Sequence, residues 1–109
     1  MLPEYIYRRA LKTYGAEAQT RMVFEEMAEL QKELCKNARG ADNVDDIAEE
    51  IADVQIMLEQ MIVLHDCREE VEDHWLEKMI RLMDRLEEKE NMIRLLDRLE
   101  EKRKEDGRE

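Results

Sequence analysis

Three glycines, one proline and five aromatic side chains leave 109 residues with little turn chemistry and little sheet-forming material. Sandwiches and barrels draw on Gly-rich turns and on β-branched or aromatic strands, so an all-β fold is excluded. No apolar run approaches the roughly 20 residues of a membrane span. The opening "MLPEYIYRRALKTYG" has tyrosines and charges where a signal peptide needs an apolar stretch. Two cysteines, Cys35 and Cys67, are too few for a disulfide scaffold, and without a secretory signal they predict free thiols in a reducing cytoplasm. The excess of acid, a formal charge of −11, argues against binding nucleic acid polymers or an anionic membrane surface.

What is present is charge and helix-forming side chains. Charged residues make up 43% of the chain, a composition that predicts long helices. The fold class expected is all-α, an antiparallel helical bundle with an extended C-terminal helix. So small and charged a chain has a limited core, and burial between identical subunits is the simplest remedy.

Breakers divide the chain into four helices. The first starts after Pro3 and ends at Gly15; the second runs from about Glu17 to Asn37. "ARGADN", residues 38–43, is the clearest loop, with Gly40 to stop one helix and Asp42 or Asn43 to cap the next. The third runs to about His65. Asp66, with Glu69 three residues on, is expected to form a capping box for the fourth. No breaker follows until Gly107, although "KRKEDGRE" is expected to fray.

Two repeats stand out. In the fourth helix "MIRLMDRLEEKE", 79–90, recurs as "MIRLLDRLEEKR", 92–103, a shift of thirteen residues. At ~100° per residue the shift turns the apolar face by roughly 220°. The second copy therefore reads as a tandem duplication and a helical extension, a partner-helix or coiled-coil segment. The boundaries expected are 1–90 for the domain and 91–109 for the extension.

The other repeat carries chemistry. "VFEEMAELQKEL", 23–34, is echoed by "IAEEIADVQIML", 47–58. On a helix Val23, Met27, Leu30 and Leu34 form one stripe, with Glu26 and Glu29 neighbours along its flank. Ile47, Ile51, Val54 and Leu58 repeat the stripe, flanked by Glu50 and Asp53. If the helices pack antiparallel, four carboxylates meet. Such a cluster survives either by taking up protons or by holding divalent cations. Hard oxygen donors without nearby His or Cys favour Mg2+, with Mn2+ as a substitute, and Mg2+ keeps positions open for water and phosphates.

The stretches "TYGAEAQTRMVFEEMAELQKEL", "ARGADN" and "IAEEIADVQIMLEQM" resemble the MazG-like, all-α nucleoside triphosphate pyrophosphohydrolases. The signature EExxE, spacer, ExxD reads here Glu25-Glu26-x-x-Glu29, twenty intervening residues, then Glu50-x-x-Asp53. Gly15 and Gln19 before it and the basic "EKMIR" after it also fit, and the resemblance covers about residues 10–86. It implies a bundle completed by oligomerisation, as homodimer or homotetramer. Glu26, Glu29, Glu50 and Asp53 would hold Mg2+. The activity implied is hydrolysis of a nucleoside triphosphate to the monophosphate and pyrophosphate, with a role in nucleotide-pool housecleaning.

Glu25, adjacent to the ligands, orients or deprotonates the attacking water, or else supports the ligands from behind. Lys78 and Arg81, and more weakly Gln19, are the candidates for binding substrate. His65 and His74 lack the ExxH spacing of a di-iron centre. Trp75 and the helically spaced Met57, Met61, Met79 and Met83 read as packing. The rival function is a helical interaction or regulatory module with a vestigial metal site.

Overall fold

The computed structural model describes residues 3–107 and contains, among them, four α-helices and no strand. These are α1 (Pro3–Tyr14), α2 (Ala16–Ala38), α3 (Val44–His65) and α4 (Arg68–Asp106). The chain is all-α. It divides into two compact units, residues 1–68 with α1 to α3 and residues 69–109 with nearly all of α4. The break between these units comes at the α3–α4 joint, and α4 runs on through position 90 into the duplicated extension as one uninterrupted helix.

Glycine acts where the sequence placed it. Gly15 (φ 94°) separates α1 from α2, and Gly40 (φ 102°) takes the left-handed turn that ends α2. There Gly40 N–H donates to Asn37 O at 2.9 Å and Ala41 N–H to Lys36 O at 3.1 Å, which satisfies two carbonyls at the helix end. The end of α3 repeats the pattern with Asp66 in the glycine's place. Asp66, at φ 48°, donates its N–H to Val63 O, and Cys67 donates to Ile62 O. Asp66 thus closes α3 instead of opening α4, and the expected capping box is out of register, because α4 starts at Arg68. A short polar side chain tolerates the left-handed region, which is why Asp serves either role.

The other correction to the joints concerns Asn43. It occupies the N-cap position of α3 but makes no side-chain cap. Its Nδ2 instead donates to Glu33 O at 2.9 Å and Glu33 Oε2 at 2.7 Å, and its Oδ1 accepts from Asn37 at 3.3 Å. The loop is thereby clipped back onto α2. Asn43 is buried, so its loss leaves polar groups without partners; Asn43→Ala should lower stability by about 2 kcal/mol in chemical denaturation. The same hydrogen bond, then Lys36 at 3.1 Å, lowers the Glu33 pKa. A depressed carboxylate stabilises above its unfolded pKa, and that contribution is lost as pH falls through the folded value.

α2 and α3 pack antiparallel. Gln19 and Thr20, early in α2, meet Gln60 and Met61 late in α3, whereas Glu33, late in α2, meets Asn43 at the start of α3. α1 touches both. The core is thin: among the described residues only Val23 and Met57 are buried apolar side chains. Beside them lies a buried glutamine pair, Gln19 Nε2 donating to Gln60 Oε1 at 2.6 Å. The expected stripes are only half inside. Leu30, Ile47 and Val54 are half-buried, whereas Met27, Leu34, Ile51 and Leu58 are exposed. Both helices are rolled so that the buried arc shifts toward the acids, and this roll sets up the site.

Where the end is expected to fray, α4 continues through Asp106, while residues 108 and 109 lie outside the described residues. Its last turn is basic, as the helix dipole favours, and Lys104 pairs with Glu100 at 3.7 Å. Both cysteines are free, and no helix among the described residues is long and apolar enough to cross a membrane.

Candidate metal centre

The roll of α2 and α3 carries their acids inward. Val23 and Glu26 are three residues apart, as are Glu50 and Asp53, and one turn past Asp53 comes the buried Met57. Glu50 and Asp53 therefore lie on the arc that faces α2, and Glu26 on the arc that faces α3. All three are half-buried. One carboxylate oxygen from each lies within 4.8 Å of the others.

Three negative charges at that spacing are unfavourable. Glu26 has its pKa raised, first by desolvation, then by the Asp53 charge and a hydrogen bond to Asp53, and further by Glu29 and Glu25. A hydrogen bond between two carboxyl groups needs one of them to carry the proton. The Glu50 pKa is also raised, by desolvation first, then by Asp53, Glu26, Glu29 and Glu49. Glu50 Oε2 is sealed from solvent with no hydrogen-bond partner. A buried carboxylate oxygen left bare is costly, and it needs either a proton or a cation.

The donor set fits a hard divalent ion. At about 2.1 Å per bond, two oxygens on opposite sides of Mg2+ stand about 4.2 Å apart. Neighbouring ones stand about 3 Å apart, so the three carboxylates, with oxygens within 4.8 Å of one another, would have to close in to hold such an ion, leaving its other positions open. Among the described residues no His or Cys joins this group, which disfavours zinc.

The other expected site residues are distributed differently. Glu29 is exposed and outside the three-carboxylate group, though close enough for its charge to act on Glu26 and Glu50. Glu25 is exposed and lines a cavity of about 540 Å³ with Tyr14, Ala18, Gln19, Arg21, Met22 and Met57. Gln19 has committed its Nε2 to Gln60, so its first role is to join α2 to α3. Lys78 and Arg81 belong to the second unit, where Arg81 pairs with Glu77 at 3.1 Å. A larger groove of about 770 Å³, between α1 and α3, contains none of the candidate residues.

Met57 is buried, as its helical spacing predicts, whereas sequence reasoning missed Gln60 as a member of the buried arc around the acids. Its signal was present: Asp53, Met57 and Gln60 follow helical spacing. No protein-family model, curated protein or solved structure matches the chain.

Proposed function

We propose that this chain is a Mg2+-dependent nucleoside triphosphate pyrophosphohydrolase that yields a monophosphate and pyrophosphate. The observation that carries the reading is the meeting of Glu26, Glu50 and Asp53 from two helices around a sealed, unpartnered Glu50 oxygen. Glu29 joins as a fourth ligand only by turning toward the others. Bound there, a divalent ion supplies charge for phosphate oxygens and acidifies a coordinated water.

The chain's own residues divide the remaining work. Glu25, exposed one residue before Glu26, takes the proposed role of accepting a proton from the attacking water. The cavity it lines has the apolar walls and the volume of a small-molecule site, with Tyr14, Met22 and Met57 to take the base or sugar. The Gln19 carbonyl remains to accept a hydrogen bond there. Lys78 and Arg81 are assigned to the outer phosphates on the strength of the resemblance alone. The setting proposed is a reducing cytoplasm, the role nucleotide-pool housecleaning, and the working form a homo-oligomer.

A second reading is favoured by one feature: α4 buries none of its residues. It makes the chain an interaction module whose acidic cluster is vestigial. Incubating the purified protein with a panel of NTPs and dNTPs plus Mg2+, then resolving pyrophosphate from orthophosphate, decides between them. Pyrophosphate in step with monophosphate is the expected result. Orthophosphate alone marks a different phosphatase, and no product with any nucleotide leaves the module.

A further inference from the structure

α4, a 39-residue helix of which all but Arg68 lies in the second unit, has no buried residue, and Trp75, Met79, Leu82, Leu86, Ile93 and Leu96 are 38–62% exposed. Helices gain most of their stability from packing an apolar face, so this one is incomplete as it stands. The spacing of the six residues is heptad-like, four and three in alternation, with Lys89 at the single missing step.

We propose that a second copy of this chain covers this seam, with the two α4 helices running antiparallel about a centre between Leu86 and Lys89. The inference goes beyond the enzymatic reading and does not depend on it. Two observations converge on this occupant and this direction.

Charge is the first. Residues 69–77 hold five acids and no Lys or Arg, whereas residues 98–104 hold four bases and two acids. Parallel helices set acid beside acid and base beside base; antiparallel helices set each acidic end against a basic one.

The duplication is the second. About the proposed centre, Met79 falls opposite Leu96 of the second copy and Leu82 opposite Ile93. The first "MIRL" of one chain thus meets the second "MIRL" of the other, and the arrangement is self-complementary. Lys89 falls opposite Leu86, where its stem packs and its ammonium reaches out toward the solvent. One lysine in a seam fixes register at some loss of stability.

The test uses the full chain. Sedimentation at micromolar concentration should give a dimer or a multiple of it; a monomer overturns the proposal. Direction is read from spin labels on single cysteines in a Cys35→Ser, Cys67→Ser background. Lys104→Cys should give an intermolecular distance of roughly 50 Å, since each label stands about 16 residues from the centre at 1.5 Å per residue. Glu88→Cys should give under about 20 Å, because it lies near the crossing of two helices 8–10 Å apart. Short distances at both sites mean parallel helices, and a long or absent one at Glu88→Cys means that α4 is not the contact; either overturns the proposal.

Reversal of charge gives a check free of labels. K102E/R103E/K104E should weaken assembly at least about tenfold, and mixing it with E69K/E70K/E72K should restore a heteromer. Unchanged assembly of the first variant contradicts the pairing of unlike ends.

Discussion

Glu50→Gln loses pyrophosphate release by roughly 100- to 1000-fold, the scale on which removing one charge-stabilising group acts, yet the protein remains helical. In the presence of a chelator it melts a few degrees higher than the native chain. The two halves of this result have one cause. The native Glu50 oxygen is sealed and unpartnered, and its carboxylate is pressed by Asp53 and Glu26. A neutral amide of the same shape removes that repulsion and also removes a donor for the cation. A substitution that merely damaged the fold would lower both activity and melting temperature. Asp53→Asn should behave alike in turnover. Glu25→Gln, by contrast, should slow turnover and leave cation binding intact, because Glu25 is exposed and outside the three-carboxylate group. Retention of full activity by Glu50→Gln removes the carboxylate cluster from the mechanism.

The second large effect is a cation-dependent rise in stability that vanishes in acid. A ligand at a hundredfold excess over its Kd stabilises the folded state by about 2.7 kcal/mol. For a unit as small as α1 to α3 that corresponds to roughly 10 °C or more in Tm. The pH dependence follows from Glu26 and Glu50. Their folded pKa values lie above the ordinary carboxylate value, so the folded state holds protons more tightly than the unfolded one. In chelator the contribution of these two groups is fully present below the unfolded pKa and is lost as pH rises through the folded values. Glu33 has the opposite sign, with its pKa lowered. The comparison that isolates the site is therefore native chain against Glu50→Gln.

Across that comparison, the native chain should fall behind the variant as pH climbs from 4 toward neutrality without metal, and recover with Mg2+. At low pH protons occupy the same oxygens, and Mg2+ should stabilise little. Differential scanning calorimetry at several pH values, with Mg2+ and with EDTA, measures both curves. A Mg2+ increment equal at acid and neutral pH contradicts occupation of this site.

The helices and their breaks are legible in the sequence because they depend on local chemistry. Gly15 and Gly40 supply backbone conformations that few other residues adopt easily, and they stop helices where a reader expects. The paired spacing of Glu26 with Glu29 and of Glu50 with Asp53 was equally plain. Less visible was how far each helix is rolled about its own axis. Periodicity identifies an apolar stripe, but the neighbour decides which part of it is covered. With the buried Gln19–Gln60 pair and Met57 between α2 and α3, the acids turn inward, and Met27, Leu34, Ile51 and Leu58 remain outside.

Asp66 and Asn43 went astray for a related reason. Both residue types serve at helix starts and in left-handed or clipped turns, and propensity alone does not choose. The choice rests on where the following helix starts and on which side chain, here Glu33, stands across the loop. The C-terminal residues 102–106, by contrast, were read from composition as frayed, when nothing in "KRKED" stops a helix already under way.

The most direct measurement is a crystal structure of the full chain grown with Mn2+, with anomalous scattering used to find the ion. The account predicts a peak bonded to one oxygen each from Glu26, Glu50 and Asp53, with Glu50 Oε2 no longer bare. Manganese bound elsewhere, with those three carboxylates close together and metal-free, contradicts it.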